Sequence, residues 1–361
     1  MIAGMTAVLL AVILVFPCKV HGLSAQRAIL VDAQTGRVIY EKNANERSLI
    51  ASTTKIMTAL IVCEQCNVLD RMRIPKEAVG IEGSSMYLKE GEVLTVQELL
   101  YGLMLQSGND AAVALAIYCG GTVEGFAELM NDKAHRLGMA GSHFINPNGL
   151  DSPGHYSTAR DMAVLASYAM NNPVFAQTVS TKTVNIGNRT LRNHNKLLWQ
   201  LEGADGVKTG FTKAAGRILV SSAVRQGRRL IAVTMNAPSD WQDHKVLMES
   251  GFQDYCVKEI VEKGDILGEI EVAGGVFGKV SLIADADFSY ALTAHEQPEI
   301  VLQGPGFVYA PAVQGQSAGI AYICLGDTTI GEIPLVLGQT VEQKEIPKTS
   351  VWDKLFGGSM K

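Results

Sequence analysis

The sequence predicts an α+β domain, an antiparallel sheet with a helical insertion, followed by a small all-β domain. Three observations carry this. Short apolar strands stand early, at Ala28–Asp32 and Arg37–Tyr40, and return late, at 206–210, 217–224 and 229–235. Between them the apolar spacing is helical. Beyond about Gly264 the chain becomes a series of short β-rich runs broken by Gly, Pro and Asp, with no helical pattern up to Val341. The turn Ala33-Gln34-Thr35-Gly36 makes the first two strands a hairpin. A length of 361 residues also exceeds one usual domain.

Within the insertion, residues 51–66 carry helical spacing, with Ile56, Ala59, Leu60 and Cys63 on one face. The polar, glycine-punctuated stretch 80–91 reads as a loop. Thr95-Val96-Gln97-Glu98 fits a capping box and opens a helix whose apolar face is Leu99, Leu100, Leu103 and Met104. Ser107-Gly108-Asn109 breaks the pattern before a second apolar helix, 111–118. A third helix runs from Val123 to Leu137 and stops at Gly138. Thr158 with Asp161 starts another, which Asn171-Asn172-Pro173 ends, and residues 240–255 return to helix.

Composition narrows the classes of function. Hydrophobic residues at 47% and charged residues at 19% describe an ordinary globular protein rather than a disordered chain. The net charge is −5 and no Lys/Arg block interrupts it, so a nucleic-acid partner is not expected. The apolar run Thr6–Phe16, followed by Pro17 and small or polar residues, predicts a secretory signal peptide over residues 1–25, with cleavage after Gly22 or Ala25. The protein is therefore expected outside the cytoplasm. Six cysteines leave five after processing, an odd number that argues against a full disulfide framework. Cys63 and Cys66 have C-x-x-C spacing but lie in a helical stretch with no second pair and no nearby histidine. Neither a metal nor any other cofactor is expected. The expected domains are 26–262 and 264–347. In the tail, 348–361, Val351, Trp352, Leu355 and Phe356 at helical spacing suit contact with a membrane surface.

Three short motifs carry chemistry. In Ser52-Thr53-Thr54-Lys55 a hydroxyl at a helix start and an amine three residues on share one face. Serine is a poor nucleophile until a neighbouring base takes its proton, and a lysine can be that base once burial or a nearby cation lowers its pKa. Of the 20 serines only Ser52 has lysine at that offset. Ser107 and Asn109 are polar groups in an apolar zone, able to relay a proton and to hold a substrate amide. On a strand, Lys208-Thr209-Gly210 with Phe211 and Thr212 offers a cation and hydroxyls to a carboxylate, and a glycine that lets a ligand backbone approach.

The order Ser52, Ser107, Lys208, in the contexts helix start, interhelical loop and strand, is the motif set of penicillin-binding proteins and class A β-lactamases. From about Arg27 to Tyr255 the sequence resembles the low-molecular-weight penicillin-binding proteins, the serine D-alanyl-D-alanine carboxypeptidases. Tyr87-Leu88, Ser107-Gly108-Asn109-Asp110 and Thr158-Ala159-Arg160-Asp161 share in the likeness. The resemblance implies the penicillin-recognising serine-transferase fold. It further implies that Ser52 attacks the bond between the last two D-alanines of a peptidoglycan stem pentapeptide while Lys55 accepts its proton. The N–H groups of Ser52 and Phe211 are then expected to hold the oxyanion, Ser107 to protonate the leaving amine, and Lys208, Thr209 and Thr212 to hold the terminal carboxylate. Asn109 steadies the peptide. β-Lactams are expected to acylate Ser52 and leave slowly.

Alternatives within the same chemistry are a β-lactamase, an endopeptidase acting on cross-links, and a silent penicillin-binding scaffold. Gly108 at the centre of its motif, and no E-x-x-x-N segment between Asn109 and Lys208, weigh against a class A β-lactamase. Residues 237–244, Ala-Pro-Ser-Asp-Trp-Gln-Asp-His, are similar to the segment of sporulation-associated carboxypeptidases, where many relatives have an arginine-containing stretch.

Overall fold

The structure is a computed structural model that describes residues 22–345. Most of the expected signal peptide and all of the expected tail, 348–361, lie outside the described residues. Packing divides the chain into two units at Tyr255 and Cys256.

The first unit is built on an antiparallel sheet of order β2-β1-β9-β8-β7, formed by β1 (Arg27–Asp32), β2 (Val38–Lys42), β7 (Ala204–Thr212), β8 (Gly216–Arg225) and β9 (Arg228–Met235). Asp32 shapes the β1–β2 turn, since its carboxylate accepts from the N–H groups of Gln34 and Thr35. The sheet is covered on both faces, as the alternation along its strands requires. Ile29, Val31, Ile231 and Val233 pack into the large helical core. Leu30, Leu230 and Ala232 point the other way, onto Leu247 and Met248 of the last helix in this unit.

The insertion supplies α1 (Lys55–Gln65), the ribbon of β3 (Arg71–Arg73) and β4 (Val93–Thr95), then α2 (Val96–Leu105), α3 (Asn109–Gly120) and α4 (Val123–Arg136). It continues with α5 (Ala159–Ala169), α6 (Pro173–Ser180), a hairpin of β5 (Thr183–Ile186) and β6 (Arg189–Arg192), and the single turn α7 (Leu197–Gln200). The long helix α8 (Asp240–Asp254) follows the sheet. The capping box at α2 is formed, with Glu98 N donating to Thr95 Oγ1 at 3.1 Å and Thr95 N to Glu98 Oε2 at 2.7 Å.

Several boundaries differ from expectation. The helix expected over 51–66 opens as a 3₁₀ turn, Ala51–Thr54, before α1 begins at Lys55. The helix after Ser107 starts at Asn109 rather than Ala111, so Asn109 lies in its first turn. Asn171-Asn172-Pro173 does more than end a helix. Asn172 Oδ1 accepts from Val174 N and Phe175 N, and Pro173 is the first residue of α6, a position where its missing N–H costs nothing. The β5–β6 hairpin was not expected, although Gly187-Asn188 between Ile186 and Arg189 is a two-residue tight-turn signature.

At the other end of the chain, Ser24 and Ala25 donate backbone hydrogen bonds to Asp243. Cleavage after Gly22 keeps these contacts, whereas cleavage after Ala25 removes them.

The second unit contains β10 (Cys256–Val261), β11 (Ile266–Ala273), β12 (Lys279–Ala284), β13 (Phe288–Leu292), β14 (Glu299–Gln303), β15 (Phe307–Tyr309), β16 (Ser317–Leu325) and β17 (Thr328–Leu337). A six-stranded sheet of order β14-β16-β17-β12-β11-β15 is faced by the β10–β13 ribbon. Its layers are unequal, and Val261 of β10 shares the core of the large sheet. The expected boundary at 262 placed β10 in the first domain, but its pairing with β13 draws it into the second unit.

Candidate active site

Ser52 sits in the 3₁₀ turn that closes the sheet's edge. The turn is tight, for Ala51 has φ 46° and Thr53 N donates to Ile50 O at 3.1 Å. A non-glycine residue in that left-handed region costs on the order of 1 kcal/mol, which the surrounding packing must offset. Strand β7 lies directly against the turn at Gly210. A Cβ there would come within 3.2 Å of Ile50 O and Thr53 N and 3.3 Å of Ser52 N, so only glycine fits without a shift.

Lys55 begins α1 and is fully buried. Its Nζ lies 3.1 Å from Ser52 Oγ, 2.6 Å from Asn109 Oδ1 and 2.5 Å from the carbonyl oxygen of Asn148. The last two partners only accept. A neutral amine has two N–H bonds for them and one lone pair left, facing the serine hydroxyl. The surroundings favour that state. Burial, then the charge of Lys208, hold the Lys55 ammonium well below the ordinary lysine range, against a smaller opposing pull from Asp110.

Asn109 Nδ2 donates to the carbonyl oxygen of Glu82 at 2.5 Å, so both ends of this amide are engaged, and its clearest structural task is to hold Lys55. Asp110 fastens the adjacent loop. Its carboxylate accepts from Ser85 Oγ at 2.6 Å and from the N–H groups of Met86 and Leu88 at 3.1 Å. Ser107, with φ 59°, faces the same cavity as Ser52.

That cavity, of about 320 Å³, is lined by Ser52, Ser107, Thr209, Gly210 and Phe211. The three sequence motifs thus meet in one place. Lys208 lies buried beneath it, with Nζ donating to the carbonyl of Thr209 at 2.9 Å, and burial lowers its pKa to about 7. Thr212 differs from expectation. Its hydroxyl donates to Asp151 Oδ1 at 3.2 Å and accepts from Ala215 N at 3.0 Å, and it does not line the cavity, so it braces the β7–β8 turn.

Sequence reasoning missed Arg217, Asp240, Trp241, His194 and Ser84, which complete the wall. Arg217 stands opposite Phe211 in the β7–β8 register. Asp240, almost fully buried, accepts from Arg217 Nη2 at 3.0 Å, and the guanidinium lies 5.8 Å from the Trp241 ring. Nη1 and Nε have no other partner among the described residues. The only signal available was position, nine residues after Lys208 on the next strand of the predicted sheet.

Comparison with known proteins decides the family. Residues 16–239 match the D-alanyl-D-alanine carboxypeptidase family, and residues 255–343 match the C-terminal domain of penicillin-binding protein 5. This chain belongs to the D-alanyl-D-alanine carboxypeptidase family. Among family members, the Bacillus subtilis carboxypeptidase DacF is 31% identical, with 88% of this chain and 86% of that protein covered. The Escherichia coli carboxypeptidase DacD is 33% identical, with 90% and 88% covered. The structure of penicillin-binding protein 5 from Haemophilus influenzae superposes with a TM-score of 0.78 at 30% identity, covering 89% of this chain and 98% of that one. This chain pairs the penicillin-binding fold with an all-β C-terminal domain.

Proposed function

We propose that this chain removes the terminal D-alanine from peptidoglycan stem pentapeptides through an acyl-enzyme on Ser52. The observation that carries the assignment of roles is the buried Lys55 amine 3.1 Å from Ser52 Oγ, with its two acceptor partners already supplied by Asn109 and Asn148. As Ser52 Oγ attacks the carbonyl between the last two D-alanines, its proton passes to Lys55 Nζ. The N–H groups of Ser52 and Phe211 hold the oxyanion. The C–N bond then breaks, the proton held by Lys55 is relayed through Ser107 to the leaving amine, and D-alanine departs, leaving Lys55 neutral and Ser107 a hydroxyl again. Water adds to the ester and returns Ser52 to its free form.

Lys208, Thr209 and Arg217 hold the substrate carboxylate, with Arg217 offering the guanidinium donors that Asp240 leaves open. The one carboxylate lining the cavity, Asp240, is committed to Arg217. β-Lactams acylate Ser52 by the same attack and leave slowly. The apolar run 6–16 supports an extracytoplasmic location, the tail 348–361 supports contact with a membrane surface, and residues 237–244 support a role in sporulation.

The test is incubation of the purified protein with diacetyl-Lys-D-Ala-D-Ala and with fluorescent penicillin. Wild type releases D-alanine and keeps the label, and Ser52→Ala does neither. D-alanine release by the Ser52→Ala protein at the wild-type rate removes Ser52 from the mechanism.

A further inference from the structure

We propose that a second cavity, bounded by Gln106, Arg192, His194, Lys196 and Trp199, is a subsite for a carboxylate-bearing segment of peptidoglycan peptide beyond the two D-alanines. The inference rests on the carboxypeptidase function proposed above and extends it to the rest of the substrate.

This cavity is the larger of the two, about 710 Å³, and it shares His194 with the catalytic one. Gln106, on its other side, immediately precedes Ser107. A ligand that leaves the catalytic cavity past Ser107 and His194 therefore enters it. A cavity of about 300 Å³ holds a dipeptide end, whereas a longer stem needs further walls.

Its chemistry is cationic. From 191 to 197 burial alternates strictly, so that Leu191, Asn193, Asn195 and Leu197 face inward while Arg192, His194 and Lys196 all face out. The inward asparagines do the holding. Asn193 Nδ2 donates to the carbonyls of Val179 and Thr181, and Asn195 Nδ2 donates to that of Gly206 at 2.7 Å. Both are more than nine-tenths buried. The basic face is thus anchored to α6 and to β7, the strand that bears Lys208.

Trp199 adds a flat apolar wall, 43% exposed, with the Arg192 guanidinium 5.1 Å and the Lys182 ammonium 5.9 Å from its ring. Among the described residues, Lys182, Arg192 and Lys196 have no carboxylate partner, and no acidic residue lines the cavity. In a chain of net charge −5 such a cluster does not reflect composition. It matches a ligand carrying carboxylates on a peptide chain. Two sources present that chemistry, the acidic residues of the stem that is being trimmed and a second acidic stem attached through the leaving amine of a cross-link.

The test compares wild type with the double variant Arg192→Gln/Lys196→Gln on three substrates: neutral diacetyl-Lys-D-Ala-D-Ala, a stem pentapeptide with its acidic residues, and a cross-linked muropeptide dimer. Expected is about a fivefold fall in kcat/KM for an acidic substrate relative to the tripeptide, arising in KM and diminishing as salt is raised. The charge-keeping variant Arg192→Lys/Lys196→Arg restores the ratio. A fall confined to the pentapeptide assigns the cavity to the trimmed stem, and one confined to the dimer assigns it to the leaving side. An unchanged ratio overturns the subsite, as does an equal loss on all three substrates.

Should wild type leave the tripeptide intact, the carboxypeptidase reading fails. The cavity is then decided by pentapeptide binding to Ser52→Ala protein, which the two glutamines weaken about fivefold if the subsite exists and leave unchanged if it does not.

Discussion

Asn109 Oδ1 lies 2.6 Å from Lys55 Nζ, joining residues 54 positions apart through two buried side chains. The neutral amide accepts a hydrogen bond from the amine without adding charge. A carboxylate in its place would favour the ammonium form. Asn109→Asp is therefore expected to move the acid limb of kcat/KM to higher pH by about one unit or more, and to slow penicillin acylation at pH 7 about tenfold. Stopped-flow acylation across pH checks this. An unmoved limb would show that Lys55 is not the base.

Gly210 offers a steric test of the contact between β7 and the nucleophile turn. In Gly210→Ala the new methyl meets backbone atoms of Ile50, Ser52 and Thr53, none of which can swing away as a side chain could. Overpacking of this kind costs about 1–3 kcal/mol, and a displaced Ser52 loses its alignment with Lys55. Acylation should slow at least about tenfold while far-UV circular dichroism stays native. Wild-type kinetics in a folded variant would mean that the turn is free to move.

Arg217 is the proposed carboxylate binder, and its removal also leaves the buried Asp240 without its partner. In Arg217→Ala, KM for the tripeptide should rise, and Asp240 should lose its partner at a cost of about 1–3 kcal/mol. Arg217→Met with Asp240→Asn separates these effects, recovering most of the melting temperature but not the KM. A recovered KM would remove Arg217 from carboxylate recognition.

Two buried histidines set the acid behaviour of the fold. His244, between Ser221 Oγ and Thr234 Oγ1, has its pKa lowered by burial to about 3, and burial, with a smaller effect of His143, lowers that of His155 to about 4. The unfolded chain takes up these protons near pH 6.5. Their neutral forms therefore support the native state fully above about pH 6.5, and that support is lost as pH falls toward 4 and then 3. Calorimetry should show the melting temperature dropping across this window, and a flat profile would contradict the burial of both rings.

The strands of the main sheet and its longer helices were legible because their periods are long and their ends are marked, whereas the short β3–β4 and β5–β6 ribbons, α6 and α7 were not. The capping box at Thr95 and the early and late strands all fall where the residues place them. What stayed hidden depends on approach through space. Nothing about Asn148 in sequence reveals that it gives Lys55 a carbonyl, and only its place at the start of the next strand marks Arg217 as a neighbour of Phe211. Thr212 was misjudged for a related reason, because adjacency to Lys208 suggested a ligand whereas its hydroxyl is used by Asp151 and Ala215. The asparagine pair at 171–172 shows how a residue can close one helix and cap the next, so that a stop signal concealed a start.

The turn 146–149 contains no reactive group, yet its Asn148 carbonyl holds Lys55, the proposed general base, and a Cβ on Gly149 would fall 1.9 Å from Ala51 O. Reactivity at the serine is thus adjustable from a distant peptide unit. Sequence drift in that largely buried turn can retune how eagerly the enzyme reacts with antibiotic or wall while every motif residue stays as it is.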